Sequence, residues 1–163
     1  MSDRGTLDGV TDLTFSDSIV IDTDPGALYA LVSDVTKMGQ WSPQCKECWW
    51  EDEDGGPVAG AWFKGRNEIP GRTWETRSQV MVAEPGREFV WEVNGGWVRW
   101  GFTLEPVDGG TRLTQSWHFL PAGIAGFHER WPEHAAEQIV FREKSAKEGI
   151  PVTLAAIKRS AES

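Results

Sequence analysis

The chain has 163 residues, close to the roughly 100–150 residues of a typical domain and long enough to bury a core without disulfides or a metal. Its 16 Lys and Arg against 25 Asp and Glu leave a formal charge of −9, which argues against a nucleic-acid groove or an anionic membrane surface, since both require basic patches. The unusual number is aromatic: ten Trp and seven Phe beside a single Tyr, so that the indoles either fill a large core or line something.

The first dozen residues are polar, without the apolar stretch of a signal peptide, and residues 1–13 are expected to form a flexible N-terminus. Thr14 to Ile21 alternates as a strand, with Phe15, Ile19 and Ile21 on one parity. Asp24-Pro25 predicts a helix start, because Asp accepts hydrogen bonds from first-turn N–H groups and Pro is favoured at the first helical position. Leu28, Leu31, Val32 and Val35 follow at the spacing of one helix face, and a second short helical stretch ends at Trp41-Ser42-Pro43. From there to Leu120 the chain reads as six antiparallel strands. The turns between them are Asp54-Gly55-Gly56-Pro57, Pro70-Gly71, Pro85-Gly86, Asn94-Gly95-Gly96 and Asp108-Gly109-Gly110. From about Pro132 to Ser160, the residues Ile139, Ala146, Ile150, Leu154, Ile157 and Ala161 mark a long amphipathic helix. Glu137, Arg142, Lys144, Lys147 and Lys158 fall to its other faces, and Pro151 predicts a kink or break.

This order of elements resembles the START-related helix-grip superfamily, also called SRPBCC or polyketide cyclase/dehydrase and lipid transport. The local marks are Ile19-Val20-Ile21 into Asp24-Pro25, Leu31-Val32-Ser33-Asp34, Trp41-Ser42-Pro43, the run from Gly60 to Asn67, Glu84-Pro85-Gly86-Arg87-Glu88-Phe89, and Gly109-Gly110-Thr111-Arg112-Leu113-Thr114. The resemblance covers residues 14–160 as one domain. It implies an α+β, helix-grip fold: a curved seven-stranded antiparallel sheet wrapped around a long C-terminal helix, with a ligand cavity between them.

Strand parity assigns the faces, because successive side chains point to opposite sides. Lys64, Arg66 and Glu68 read as outward, which turns Phe63 and Asn67 inward. Thr73, Glu75, Arg77 and Gln79 read as outward, leaving Trp74, Thr76, Ser78, Val80 and Val82 inward. Phe89, Trp91 and Val93 oppose Glu88 and Glu92; Trp100, Phe102 and Leu104 oppose Arg99 and Glu105. Leu113, Gln115, Trp117 and Phe119 oppose Arg112 and His118. The strand from Cys45 to Asp52 carries charges on both parities and does not phase. By the same rule Trp62 and Trp97 face outward, either packed under a neighbouring loop or forming a patch for a homodimer.

The inner face is thus aromatic with polar insertions. Phe63, Trp74, Trp91, Trp100, Phe102 and Trp117 supply apolar wall, while Asn67, Thr76, Ser78 and Gln115 are positioned to orient the polar end of a ligand. A buried amide or hydroxyl without a partner costs about 1–3 kcal/mol, which favours a cavity over a dry core at these positions. No Asp, Glu, His or Lys is found at the inward positions, and Tyr29, Asp34 and His128, the residues nearest the cavity mouth, lack convincing partners. No catalytic residue and no cofactor is assigned. Cys45-Lys46-Glu47-Cys48 is half of a zinc ribbon without its other half, so no metal is assigned and the thiols read as unpaired in a reducing, cytoplasmic setting. The leading expectation is a non-enzymatic binder of an apolar or aromatic small molecule, lipid- or polyketide-like, with neither nucleic acid nor membrane insertion involved. A polyketide cyclase/dehydrase-type enzyme using the same cavity and a regulatory or interaction module are the alternatives.

Overall fold

A computed structural model describes residues 12–163; the expected flexible stretch at residues 1–13 lies almost wholly outside the described residues. Strand β1 (Leu13–Ile21) leads through Asp22 and Thr23 to helix α1 (Pro25–Val32). Asp24 caps α1, its carboxylate accepting from the Ala27 N–H at 2.9 Å, with Pro25 opening the first turn. Leu28 and Val32 are buried on the face the periodicity marked. Loss of the cap in Asp24→Ala is expected to cost about 1 kcal/mol. Calorimetry should record this as a melting point lower by about 2–4 °C; an unchanged melting point would mean that Pro25 and packing alone fix the helix start.

A 3₁₀ turn over Val35–Gln40 precedes the six strands β2 (Cys45–Trp50), β3 (Trp62–Ile69), β4 (Arg72–Glu84), β5 (Glu88–Val93), β6 (Val98–Val107) and β7 (Gly110–Phe119). All seven strands form one antiparallel sheet in the order β1-β7-β6-β5-β4-β3-β2, so β1 closes the meander against its last strand. The turn Asn94-Gly95 carries φ values of 54° and 74°, the left-handed pair that a tight hairpin between twisted strands demands. Helix α2 (Pro121–Arg130) and helix α3 (Ala135–Glu162) complete the chain, α3 lying across the inner face and packing against β1. This is the helix-grip fold that the element order implied. Lys158 fastens the end of α3 by donating to the Val20 carbonyl at 2.9 Å, and Glu162 accepts from the Asp22 N–H at 2.9 Å.

Four local expectations are corrected. The meander is followed by α2, which the sequence reading left out: Gly123 and Gly126 depress helix propensity and mask the Ile124, Phe127 stripe that is buried. Helix α3 runs through Pro151 without a break; Pro151 and Lys147, whose carbonyl loses its helical partner, are both exposed residues, where water can serve the unbonded group. A bulge at Met81 shifts the register of β4 on β5, so Val82 pairs with Val90 on the outer face and Ala83 takes the inner place opposite Phe89. Trp97 is not outward; it belongs to the turn before β6, where strand parity does not apply, and packs beneath α2 against Phe127 with ring centroids 5.8 Å apart.

The strand that would not phase also contains a bulge. Cys45 pairs with Asn67 and Glu47 with Arg66, so Lys46 is the extra residue. That single insertion puts Cys45 and Cys48 on the inner face together, three residues apart, and sends Trp50 inward against Phe63. Trp49, paired with Lys64, faces the other way. Trp62 lies on the outer face as parity required, roofed by Arg77 at 3.8 Å from the ring centroid to the guanidinium carbon, and Glu51 holds that guanidinium.

Candidate functional site

Between the concave face of the sheet and α3 lies a cavity of about 330 Å³, within the size range of small-molecule sites. Phe63, Asn67, Trp74, Thr76 and Ser78, from β3 and β4, line one side of it. Trp91, Trp100, Phe102, Gln115 and Trp117 extend the wall across β5, β6 and β7. All ten residues singled out by parity therefore border a single space. The cross-strand register explains the convergence: Asn67 stands opposite Trp74, Phe63 opposite Ser78, Trp91 opposite Trp100, and Trp100 opposite Trp117.

The aromatic side chains form a continuous sheet-borne layer. Trp91 is its hub, stacked on Trp100 at 6.4 Å with the planes 13° apart, and set against Phe63, Phe89 and Phe102 at 5.6–6.1 Å. A second cluster closes the end under α2, where Phe127 meets Phe119 at 5.0 Å and Trp131 at 4.9 Å. Among the polar members, Asn67 donates its side-chain N–H to Thr76 Oγ1 at 3.4 Å, and Ser78 is almost wholly buried. Gln115 Oε1 is sealed from solvent and has no partner among the described residues. An acceptor left in that state is what a water or a ligand N–H or O–H would satisfy.

The cavity also holds side chains that parity did not supply. Trp41, buried where the 3₁₀ turn ends, Trp97 and Trp131 bring three more indoles to it. Arg72, Arg130 and Arg142 line it as well. Arg142 corrects the helix reading directly. It was set with the charged faces, yet it falls three residues after Ile139 and four before Ala146, on the stripe that faces inward, and its Nε is sealed from solvent without a partner. A charge at a stripe position was the signal available in the sequence. Burial, reinforced by the neighbouring charge of Arg72, pulls the Arg142 guanidinium down to about 10, still protonated at neutral pH. Arg72 shares the inward parity of Trp74, two residues on, while Arg130 ends the unforeseen helix α2 and Trp131 follows it directly.

Tyr29, Asp34 and His128 do not line the cavity. Tyr29 is buried edge-on against Phe89, Asp34 caps the 3₁₀ turn by accepting from the Thr36 N–H, and His128 is exposed on α2. Two carboxylates qualify the statement that no acid sits at inward positions. Asp17 occupies the inner register opposite Gln115 but is exposed at the edge of the sheet, and Glu75, read as outward, is exposed at the cavity's border.

The thiols of Cys45 and Cys48 lie 3.0 Å apart in the cavity wall. Gly65, on the facing strand, leaves the room: a Cβ there would come within 3.1 Å of Cys48 Sγ. The hydrogen bond between the two thiols lowers the pKa of Cys45, with Arg66 and Lys46 adding to it, whereas that same bond and burial hold Cys48 up. Iodoacetamide at pH 8 is therefore expected to alkylate Cys45 before Cys48, as peptide mapping would show. Equal labelling would overturn that order of reactivity. Among the described residues no three His, Cys, Asp or Glu side chains converge as a metal site would require, and no helix is long and apolar enough to cross a membrane.

Comparison with known proteins agrees with this architecture. The family described as polyketide cyclase / dehydrase and lipid transport matches residues 12–143. A polyketide-cyclase-like protein from Corynebacterium glutamicum, solved by solution NMR, is 52% identical with a TM-score of 0.69, over 93% of this chain and 92% of that one. The di-domain ARO/CYC StfQ from the steffimycin biosynthetic pathway has a TM-score of 0.72 at 14% identity, over 93% of this chain and 51% of its own. Ara h 8.0201 gives 0.59 at 18% identity, over 92% and 97%. The last two likenesses are likenesses of fold. No curated protein sequence is detectably similar.

Proposed function

Because the chain belongs to the polyketide cyclase / dehydrase and lipid transport family, we propose that it binds an apolar or aromatic small molecule, lipid- or polyketide-like, in the cavity between the sheet and α3. The observation that carries this reading is the make-up of the wall: stacked and tilted indoles and phenyl rings around a space of about 330 Å³, interrupted by Asn67, Thr76, Ser78 and the unpartnered Gln115. Apolar burial supplies the affinity in such a site and a few fixed polar groups supply orientation. Trp74, Trp91, Trp100 and Trp117 would form the faces against which a ring or chain lies, and Phe63 and Phe102 the floor between them.

A carrier or binder fits this wall better than acid–base catalysis does. General acid–base work needs a group that exchanges protons near neutral pH within reach of the substrate. Arg142 stays protonated there, Tyr29, Asp34 and His128 stand outside the cavity, Glu75 is exposed at its border, and the lining Cys45 thiol is engaged by Cys48. The resemblance to an ARO/CYC protein concerns the fold, so a cyclase or dehydrase role is the secondary reading.

The test is a titration with N-phenyl-1-naphthylamine, a neutral aromatic fluorophore. Binding beside four indoles should raise the emission of the probe and quench that of the protein, saturably and with a stoichiometry of one. The absence of a saturable change would overturn the reading.

A further inference from the structure

Seven of the described arginines fall into two groups, and Arg87 and Arg159 belong to neither. On the outer face, Arg66, Arg77, Arg99 and Arg112 each meet a glutamate: Glu47 and Glu68, Glu51, Glu92, and Glu105. Arg72, Arg130 and Arg142 all line the cavity, and among the described residues none of them has a carboxylate within 4.0 Å. What they have is aromatic. The guanidinium carbons of Arg72 and Arg142 lie 4.8 and 5.2 Å from the Trp74 ring centroid, and that of Arg142 is also 5.5 Å from Phe127. Arg130 lies 5.3 Å from Trp131. Among the described residues the only hydrogen bond in the set runs from Arg72 to the Gln138 side-chain oxygen at 3.4 Å.

Two cations gathered over one indole repel each other, and cation–π attraction returns only part of what Arg142 loses by leaving water. Its Nε, sealed and unpartnered, adds an unmade hydrogen bond. An anion entering the cavity would answer all three deficits together. The guanidinium is a planar fork that matches a carboxylate with two parallel N–H···O bonds, and a monoanion leaves the least charge to bury beside the indoles. We propose that the ligand of this cavity is a carboxylate-bearing amphiphile, its anionic group held by Arg142 together with Arg72 and Arg130, and its aromatic or apolar body lying against the indole wall. The assignment rests on the small-molecule reading above and gives that ligand a polarity and a direction. The carboxylate points to the end built from the start of β4, the end of α2 and the middle of α3, and the apolar body toward Trp91 and Phe102.

Calorimetric titration of the purified protein with 2-naphthoate and with 2-naphthalenemethanol tests it, since the two share a ring system and differ chiefly in charge. The naphthoate is expected to bind at least tenfold more tightly. In Arg142→Gln and in Arg72→Gln, with melting curves confirming that each is folded, the preference should shrink, to about twofold or less for Arg142→Gln. If Arg142→Gln fails to fold, the wild-type preference and Arg72→Gln decide. Equal affinity of the two compounds for the wild type would overturn the anionic assignment while leaving the small-molecule reading in place. A preference that survives in the folded variants would overturn the role of the arginines. No binding of either compound would overturn both.

Discussion

Trp91→Ala is expected to remove about 3–5 kcal/mol of stability, the range for truncating a large buried aromatic residue. Trp91 is 5% exposed and touches four other rings, so its loss leaves a void that Phe63, Phe89, Trp100 and Phe102 cannot close without giving up their own contacts. Edge and offset aromatic pairs contribute about 0.5–1.5 kcal/mol each beyond area burial, which places the effect toward the upper end. Domains of this kind unfold with about 5–15 kcal/mol, so the variant keeps only part of its reserve. At a urea dependence of about 2 kcal/mol/M the midpoint should fall by about 2 M. Trp62→Ala is the control. It removes an indole of the same size from the outer face, where the principal loss is the stacked Arg77, and should cost about 1 kcal/mol or less. Equal costs for the two indoles would contradict the division between inner and outer faces.

Thr76→Trp should abolish binding of N-phenyl-1-naphthylamine, a loss of at least about a hundredfold, or about 2.7 kcal/mol, with the fold retained. Thr76 is half-buried and lines the cavity, so an indole there would project into that space rather than into packed core. Aromatic residues suit strands, and the substitution loses only the 3.4 Å bond from Asn67. Fluorescence titration reads the affinity and circular dichroism the fold. A folded variant that binds the probe as the wild type does would show that the probe lies elsewhere.

Parity brought ten residues to one cavity because β3 to β7 have long regular stretches in which outward charges mark one face and aromatics the other. It misplaced Val82 and could not phase Cys45–Asp52 for one shared reason. Bulges at Met81 and Lys46 insert a residue without any Gly or Pro to announce it, and everything beyond changes sides. Trp97 was misplaced for another: turn residues have no parity. Helix α2 was hidden by Gly123 and Gly126, and those glycines are what let it settle on the β5–β6 turn. A Cβ at position 123 would lie 2.3 Å from the Trp97 carbonyl oxygen, and one at position 126 would lie 2.4 Å from the Trp97 ring. Arg142 is legible by spacing, but its charge argues for an outer face against its place on the stripe. That preference is sound for a helix against a filled core and fails for one that borders a cavity.

The pairing of β1 with β7 constrains how the molecule is made. Leu13 pairs with Phe119 and Ile21 with Thr111, roughly 100 residues further along, whereas every other strand pairs with its sequence neighbour. Loops of that span close late, after the hairpins have formed. During synthesis the first strand therefore waits, unpaired, until nearly three quarters of the chain has been made. The Lys158 and Glu162 bonds to its far end cannot form until the last helix is complete. A release of β1 would expose the β7 edge and, with it, the strand that carries Gln115 and Trp117 into the cavity wall.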